Sequence, residues 1–486
     1  MQQNFETVIG LEVHVELNTA TKIFCGCPTA FGAPPNSLCC PICAGLPGGM
    51  PTLNRGAVEK AILAGLALHC EISELCLMDR KQYFYPDLPK AYQISQDRDP
   101  VCKNGYLDLR MGETVRRIGI TRIHLEEDAG KLIHTEAGTL VDYNRSGVPL
   151  IEIVTEPDLR SGAEAAEFLR ELRRVLLACG VSTCKMQEGA MRCDVNLSIR
   201  PVGADGYGER TEIKNLNSFS FVEKAIALEA QRQIVELGET GVVRRRTVRY
   251  LPRQGKTEPM REKVTAAEYR FFPDPDLRPF RISPETVERI RAMLPELPDQ
   301  KLERLQREYG IARSAAEVLV ARDGLAEYFE ETAKDCAYPV VVSNLLINEL
   351  LALAGEDESF SAKVRPCRLR ELAEMAGNGE VNRAVAKKLL LRLTEADFSP
   401  RAVATEESLL QISDPALIRE WIALVIEEDP GSAADYRGGK KNAFRALQGR
   451  LMKKSGGRID PALAERMLLA ALEEKGDAVC MNTLQN

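Results

Sequence analysis

The sequence changes character once, at the Pro-rich segment 271–276, and this change constrains the fold more than any other feature. Before it, short apolar runs are separated by Gly, Pro and Asn, which is typical of mixed α/β structure. After it, amphipathic patterns rich in Ala, Leu, Glu and Arg continue to the end and predict helices. We therefore predict an α+β chain, with a mixed α/β domain at residues 1–290 followed by helical domains.

A chain of 486 residues exceeds what one compact core usually holds. Helix-stop and turn residues meet at 397–400 and predict a second boundary, between an all-α helical domain at 291–400 and a small helical tail domain at 401–486. With 44% hydrophobic and 28% charged residues, the composition excludes disorder. No apolar run approaches the roughly 18 residues that span a bilayer, so we predict a cytoplasmic protein without membrane contact.

Five of the fourteen cysteines fall within the short segment 25–43. They include two closely spaced pairs separated by twelve residues, and in a reducing compartment such a pattern indicates a metal site rather than disulfides. The predicted ligands are Cys25, Cys27, Cys40 and Cys43. Four thiolates complete a tetrahedral Zn²⁺ site and leave no open position, so the zinc would be structural. The alternative is a group of buried or redox-active thiols, and Cys39 is the cysteine expected outside the site.

Residues 11–17 alternate between apolar and polar side chains, which predicts a strand with one polar face. That face carries Glu12, His14 and Glu16, so two carboxylates flank an imidazole. The simplest alternative is an amphipathic strand whose polar face is solvated.

Two further acidic positions argue for a shared site. Glu127 belongs to a run of three acids at the end of an apolar strand, and Glu152 stands alone in an apolar run, where an unpaired carboxylate would cost several kcal/mol. Carboxylates with one imidazole suit Mg²⁺ bound for phosphoryl transfer. The residues by themselves therefore indicate a Mg²⁺ site built from these acids and His14, and their spacing does not select the individual ligands.

Gly255-Lys256-Thr257 resembles the end of a P-loop, but the first glycine of that motif would fall at position 250, which is Tyr250. Any ATP site must therefore be of another kind. Basic side chains are the remaining candidates for contacts to ATP, although each one alone is as consistent with an ordinary surface charge. They are Arg80, Lys81, Arg122, Lys131, Lys214 and Arg261.

The tail contains eight basic residues and no acid between residues 437 and 458, although the whole chain has a net charge of −7. Phe444, Leu447 and Leu451 recur at helical spacing, so a helix can pack through them and expose its basic residues. This pattern predicts contacts with an RNA backbone by shape and charge, and a solvated helix face is the alternative. The predicted RNA contacts include Lys440, Lys441, Arg445, Lys453 and Lys454.

Seven segments together closely resemble the GatB/GatE family, the B subunits of tRNA-dependent amidotransferases. The segments are ETVIGLEVHV (6–15), DRKQYFYPD (79–87), AYQISQ (91–96), DYNRSGVPLIEI (142–153), RCDVN (192–196), EIKNLNS (212–218) and YRFFPDPD (269–276). The resemblance is dense over the first 285 residues or so and more diffuse over the helical remainder.

The resemblance implies a cradle domain with a glutamine-synthetase-like sheet, a helical domain and a tail that binds tRNA. It implies an ATP-dependent ligase that phosphorylates the side-chain carboxylate of mischarged Glu-tRNA(Gln) or Asp-tRNA(Asn) and amidates it with ammonia. It also implies a heterotrimer, in which the glutaminase (amidase) A subunit supplies ammonia and the small C subunit touches both of the others. Carried over by position, His14, Glu127 and Glu152 correspond to Mg²⁺ ligands, with Glu12 beside them. We also expect Lys81 among the catalytic residues.

Two other functions are compatible with parts of the sequence. The first is a non-catalytic, zinc-stapled scaffold that binds tRNA while the chemistry happens on another protein of the complex. The second is an amide ligase of the glutamine-synthetase type acting on a free amino acid, which would leave the basic tail without a role. No Gly/Ser-rich nucleophile segment of the amidase type is present, so we expect a partner to supply the ammonia.

Overall fold

The computed structural model describes residues 5–260, 269–322, 324–353, 360, 363–412 and 414–481. The chain divides into two compact units, Met1–Pro298 and Asp299–Asn486. The first unit therefore ends slightly later than the predicted boundary at residue 290, because Leu294 and Leu297 still pack on its hydrophobic core.

The first unit contains sixteen strands among its described residues. They are β1 (Phe5–Glu16), β2 (Glu71–Ile72), β3 (Leu75–Cys76), β4 (Asp79–Gln82), β5 (Tyr92–Ser95), β6 (Cys102–Met111), β7 (Thr114–Glu127), β8 (Lys131–Thr135), β9 (Gly138–Asp142), β10 (Pro149–Thr155), β11 (Met191–Pro201), β12 (Thr211–Leu216), β13 (Arg246–Leu251), β14 (Lys256–Pro259), β15 (Phe272–Pro273) and β16 (Phe280–Arg281).

Nine of these strands form one sheet, in the order β14-β13-β12-β11-β1-β10-β7-β6-β2. Neighbours in it are antiparallel except β12 and β13, which run parallel. A smaller sheet has the order β15-β4-β5, and β5 lies against β7 of the large sheet. The predicted likeness to a glutamine-synthetase sheet stays a prediction.

Helices cover one face of the large sheet. They are α1 (Arg55–Ala67), α2 (Gly162–Ala178), α3 (Phe219–Thr240) and α4 (Pro284–Arg291). Asn54, Ser161 and Ser218 cap the first three helices by accepting hydrogen bonds from backbone N–H groups in the first turn. Their apolar sides join the buried sheet residues in one core, in which Val13 and Val15 of β1 are fully buried. The polar residues of the same strand therefore point to the opposite face.

The second unit is helical throughout its described residues. Its α-helices are α5 (Pro298–Tyr309), α6 (Arg313–Ala321), α7 (Leu325–Ala333), α8 (Pro339–Leu345), α9 (Leu351–Leu353), α10 (Pro366–Gly377), α11 (Arg383–Leu393), α12 (Pro400–Glu406), α13 (Pro415–Glu428), α14 (Pro430–Arg437), α15 (Asn442–Lys454) and α16 (Pro461–Met481). One turn of π-helix, Leu346–Leu350, joins α8 to α9.

Two hydrophobic clusters divide the second unit, one from Leu302 to Ala404 and one from Ile418 to Leu472. Leu409 and Leu410 pack on the first cluster, whereas Ile412 packs on the second. The chain therefore passes from one cluster to the other shortly after the predicted boundary at residue 400. Both clusters belong to one compact unit, and the division into three domains stays a prediction.

The predicted α+β class is confirmed, because a sheet domain is followed by a region that is entirely helical where it is described. Among the described residues, none of the helices combines the length and apolar character needed to cross a membrane.

Candidate active site

The sheet register gathers polar side chains from adjacent strands on one face. His14 lies opposite Glu152 on one side and Arg192 on the other, and Glu152 lies opposite His124. Residues directly opposite in an antiparallel pair project to the same face, so these side chains share the face away from the helices. The alternation predicted for residues 11–17 therefore describes the floor of a polar site.

Two of these side chains, His14 and Glu152, converge with Glu126 closely enough to bind one cation. Single ligand atoms of His14, Glu126 and Glu152 all lie within 4.8 Å of one another, and we call these residues the first ligand group. His14 Nε2 is 3.5 Å from Glu152 Oε2, and both carboxylates are almost fully buried. Buried carboxylates facing an imidazole fit a hard divalent cation such as Mg²⁺, which prefers oxygen ligands.

Two cationic side chains lie against this group. His124 Nε2 lies 3.3 Å from Glu152 Oε2 and 3.4 Å from Glu126 Oε1. Burial by itself lowers the pKa of His124, but the two carboxylates outweigh it and raise the pKa to about 9. Lys81 Nζ lies 3.9 Å from Glu126 Oε1, and the carboxylates hold the pKa of Lys81 above its usual value although burial acts in the opposite direction. The positive charge beside the carboxylates therefore lets this site attract an anionic ligand.

Glu127 lies outside the first ligand group. Its Oε1 is 2.6 Å from Lys90 Nζ and accepts a hydrogen bond from the Ile94 backbone N–H. The reason is strand alternation, because Glu126 shares a face with His124 whereas Glu127 points the other way. Glu127 and Lys90 instead line a cavity of about 220 Å³ next to the cysteine segment, together with Lys22.

A second acidic group lies one strand further along the sheet. Ligand atoms of Glu12, Asp194 and Glu212 are all within 4.8 Å of one another. Lys214 neutralises part of this charge, with its Nζ 2.6 Å from Asp194 Oδ2 and 3.1 Å from Glu212 Oε1. Although burial lowers the pKa of Lys214, the two carboxylates raise it above its usual value.

The residue-by-residue prediction named Glu12 and Lys214 but missed Asp194 and Glu212. The signal was present, because polar residues alternate along β11 at Arg192, Asp194 and Asn196. What the alternation could not show is that β11 lies beside β1, on the side away from β10.

The remaining candidates for ATP contacts are less closely associated with the ligand groups. Arg122 lies on β7 opposite Val154 and donates a hydrogen bond to the Asp97 carbonyl oxygen. Arg80 forms ion pairs with Asp274 and Asp276. Lys131 begins the exposed hairpin of β8 and β9. Arg261 lies outside the described residues, so its predicted role stays a prediction.

The four predicted cysteines meet in a single cluster, although they come from a segment with almost no regular secondary structure. Cys43 Sγ is 3.9 Å from the Sγ atoms of both Cys27 and Cys40, and all four sulfur atoms lie within 4.8 Å of one another. A tetrahedral metal with metal–sulfur bonds of about 2.3 Å would hold its sulfur ligands about 3.8 Å apart. This cluster could therefore bind a metal ion with little rearrangement.

Electrostatics favour a thiolate in this cluster. Hydrogen bonding with Cys25 lowers the pKa of Cys43 to about 4, and the Cys40 backbone N–H and the charge of Lys22 act in the same direction. Lys22 is completely buried, and its Nζ lies 3.5 Å from Cys43 Sγ. A buried lysine beside a thiolate offsets part of the negative charge that four metal-bound thiolates carry. Cys39 contacts Asn144 and lies outside the four-sulfur group.

The basic tail helix is α15, which buries Leu447 and Leu451 as its spacing predicts. The structure brings acids from α13 and α14 to part of its basic surface, pairing Lys440 with Asp435 and Lys454 with Glu428. Of the five predicted RNA contacts, three side chains remain exposed and make no ion pair within the part of the chain that is described, and we call them the tail surface. They are Lys441, Arg445 and Lys453.

Comparison with known proteins identifies relatives along nearly the whole chain. The family model described as GatB/GatE catalytic domain matches residues 7–288, and the one described as GatB domain matches residues 327–472. The B subunit of the aspartyl/glutamyl-tRNA(Asn/Gln) amidotransferase of Caldicellulosiruptor saccharolyticus is 48% identical over 97% of this chain and 99% of its own.

Proteins of the same name from other bacteria are nearly as similar. Those of Caldanaerobacter subterraneus and Clostridium botulinum (strain Okra) are 46% and 45% identical, over 97% and 96% of this chain and 100% and 98% of theirs. Because the catalytic-domain match spans more than half of the residues and these relatives align almost end to end, the chain belongs to the GatB/GatE family.

Proposed function

We propose that this chain activates and amidates the side-chain carboxylate of a mischarged aminoacyl-tRNA, using ATP and ammonia. The observation that carries the proposal is the first ligand group, in which His14, Glu126 and Glu152 converge on a buried polar face next to Lys81. Its relatives are named as B subunits of aspartyl/glutamyl-tRNA(Asn/Gln) amidotransferases, which supports Glu-tRNA(Gln) and Asp-tRNA(Asn) as substrates. Such a reaction belongs in the cytoplasm, where aminoacyl-tRNAs are used.

The chemistry explains why the site combines acids with cations. An amino-acid carboxylate has no good leaving group, so its oxygen first attacks the γ-phosphorus of ATP and ADP leaves. Ammonia then attacks the carbonyl carbon of the acyl phosphate, inorganic phosphate leaves and the amide remains. Lys81 faces the same carboxylates, and its positive charge favours the approach of two anionic reactants.

Both acidic groups have the donor set of a magnesium site. We assign Mg²⁺ to His14, Glu126 and Glu152, and a second divalent cation to Glu12, Asp194 and Glu212, where it would displace Lys214. Bound Mg²⁺ would neutralise charge on the phosphates of ATP. The carboxylates are well oriented for this role because their strands are fixed in one sheet.

Ammonia requires a source outside this chain. The cavity of about 220 Å³ lined by Lys22, Lys90 and Glu127 lies on the other side of β7 from the first ligand group, since Glu127 points away from Glu126. It offers a polar, enclosed route of approach for a small neutral molecule. We propose that the glutaminase A subunit delivers ammonia and that the small C subunit makes the complex a heterotrimer.

We further propose that the cysteine cluster binds structural zinc. With all four positions filled by protein sulfur, the ion has no site for substrate and serves to hold the segment around it. The support for zinc is the four-thiol donor set and its near-tetrahedral spacing.

The test of this function uses the chain purified with its partner proteins. Glu-tRNA(Gln) and Asp-tRNA(Asn) are offered separately with ATP, Mg²⁺ and ammonium in place of glutamine, and the amide on the tRNA-linked amino acid is measured. We expect ATP-dependent amide with at least one tRNA and none with free glutamate or aspartate. Amidation of the free amino acid would favour a small-molecule ligase instead.

A paired substitution tests the metal-ligand assignment. We expect Glu126→Gln to lower tRNA-dependent ADP formation about 100-fold or more, because it removes a charged ligand from the first ligand group. Glu127→Gln removes the adjacent carboxylate, which pairs with Lys90, and is expected to retain ADP formation within a few fold. A large loss of ADP formation in Glu127→Gln with little loss in Glu126→Gln would instead identify Glu127, and not Glu126, as the metal ligand.

The tail surface yields a prediction about tRNA binding. Changing Lys441, Arg445 and Lys453 together to Gln should weaken tRNA affinity about tenfold at physiological salt and reduce the slope of log affinity against log salt by about 2, since each phosphate contact releases counterions. Lys440 and Lys454 are already paired with acids, so the double change to Gln serves as the matched control and should have the smaller effect. Equal effects of the two sets would contradict the assignment.

A further inference from the structure

A group of four aromatic side chains, two exposed and two half-buried, lies at the end of strand β4. The rings of Tyr83 and Tyr85 stack with centroids 5.8 Å apart and an angle of 21°, and Tyr269 meets Tyr83 edge-on at 6.2 Å. Phe84 is 69% exposed and Tyr85 is 42% exposed. We call Tyr83, Phe84, Tyr85 and Tyr269 the aromatic patch. Exposed contiguous aromatic surface is uncommon on a folded protein unless something binds to it.

Lys81 connects the aromatic patch to the first ligand group. Its Nζ lies 5.2 Å from the centre of the Tyr269 ring and 3.9 Å from Glu126 Oε1. The patch therefore begins immediately beside the carboxylates that are assigned to the reacting centre, rather than on a distant surface.

The second acidic group and the aromatic patch border different ends of the first ligand group. The second acidic group comes from β12, β11 and β1, and the first ligand group comes from β1, β10 and β7. β5 of the smaller sheet packs against β7 and pairs with β4, and Tyr83–Tyr85 follow β4 directly. In order, the second acidic group borders the His14 end of the first ligand group through β1, and the aromatic patch borders its Glu126 end through Lys81.

This order has a consequence for phosphoryl transfer. The attacking and leaving oxygens lie roughly in line on opposite sides of the transferring phosphorus. If the phosphates of ATP extend from the first ligand group toward the second acidic group, the acceptor carboxylate must arrive from the side of the aromatic patch. The acceptor in the proposed function is esterified to the ribose of an adenosine, so that adenosine arrives from the same side.

We propose that the aromatic patch stacks the 3′-terminal adenine of the aminoacyl-tRNA; this proposal rests on the function proposed above. Unpaired bases at RNA ends are bound by stacking on aromatic rings. A glutamyl ester separates its side-chain carboxylate from the adenine by about 10 Å by standard bond lengths. Lys81 bridges a gap of the same order between Glu126 and the Tyr269 ring.

The experiment compares tRNA with and without its terminal adenosine. Binding of uncharged tRNA ending in CCA and of the same tRNA ending in CC is measured with the complex containing the full chain. Wild type should lose about tenfold in affinity when the adenosine is removed, the scale of one stacked base. The double variant Phe84→Ala, Tyr85→Ala should bind both tRNAs equally, at the affinity of wild type for the shortened tRNA.

Two controls exclude a general loss of structure. Tyr85→Phe keeps the ring and should retain the dependence on the terminal adenosine. Tyr207→Ala removes another tyrosine, which is 72% exposed outside the patch, and should behave like wild type. Persistence of the adenosine dependence in the double variant would overturn the proposal.

The ATP adenine is the competing occupant, and the KM for ATP distinguishes it. A rise in this KM in the double variant, with the adenosine dependence of tRNA binding intact, would assign the patch to ATP and overturn the proposal. The binding assay contains no ATP, so its result does not depend on whether the chain catalyses amidation. Absence of amidation with a preserved adenosine dependence in wild type would reject the catalytic role and leave the stacking site standing.

Discussion

Replacing Glu152 with Gln should lower the rate of tRNA-dependent amidation about 1,000-fold, with little change in tRNA affinity. A rate effect of this size is expected when one strong electrostatic contact to the reacting centre is lost. Glu152 is nine-tenths buried and contacts both His14 and His124, so its charge is the centre of the first ligand group. Gln keeps the volume but supplies no negative charge for a divalent cation.

The measurement is the amide formed with ammonium as donor, together with ADP release and tRNA binding on the same preparation. Glu156→Gln provides the matched control, because Glu156 follows the same strand but is exposed, and its carboxylate accepts a hydrogen bond from Thr121 rather than facing the ligand group. Full amidation by the Glu152 variant would move the active site to a partner and leave this chain a tRNA-binding scaffold.

Replacing Cys43 with Ser should abolish metal binding and open the segment between β1 and α1. Cys43 is the most buried of the four cysteines and lies 3.9 Å from two of the other sulfur atoms. The segment it anchors has almost no regular secondary structure, so little else offsets the entropy of ordering it. We expect the free energy of unfolding to fall by several kcal/mol, a part of the roughly 10–16 kcal/mol that structural zinc supplies in zinc-finger peptides.

Metal content per chain and limited proteolysis within residues 25–49 measure this effect directly. Wild type should contain about one zinc ion per chain and resist cleavage, and a strong chelator should reproduce the behaviour of the variant. Cys39→Ser is the matched control, because Cys39 neighbours Cys40 but lies outside the four-sulfur group. A metal-free wild type of unchanged stability would favour the interpretation as buried thiols.

The local patterns of the sequence were sufficient to predict the elements of the site. Alternation along residues 11–17 predicted the polar face that carries Glu12 and His14, because side chains on a strand change face at every residue. The isolated acid in the apolar run around Glu152 predicted a partner, because an unpaired buried carboxylate is costly. The spacing of the cysteine pairs predicted their cluster in the same way, from the needs of a tetrahedral site.

The same alternation of side chains, applied to β7, assigns Glu126 and Glu127 to opposite faces, and only Glu126 shares the face of His124. The prediction of Glu127 as a Mg²⁺ ligand was instead carried over by position from the family resemblance. Asp194 and Glu212 could not be joined to Glu12 in this way, because their strands are distant from β1 in the chain and approach it only in the sheet.

The sequence by itself determined which residues form strands and helices, which face of each is polar and which cysteines belong together. All of these follow from interactions between residues near one another in the chain. The tertiary structure alone decided the strand order that creates the second acidic group, and the approach of Asp435 and Glu428 that pairs Lys440 and Lys454. Such contacts depend on how distinct elements pack in the folded chain, which local periodicity does not encode.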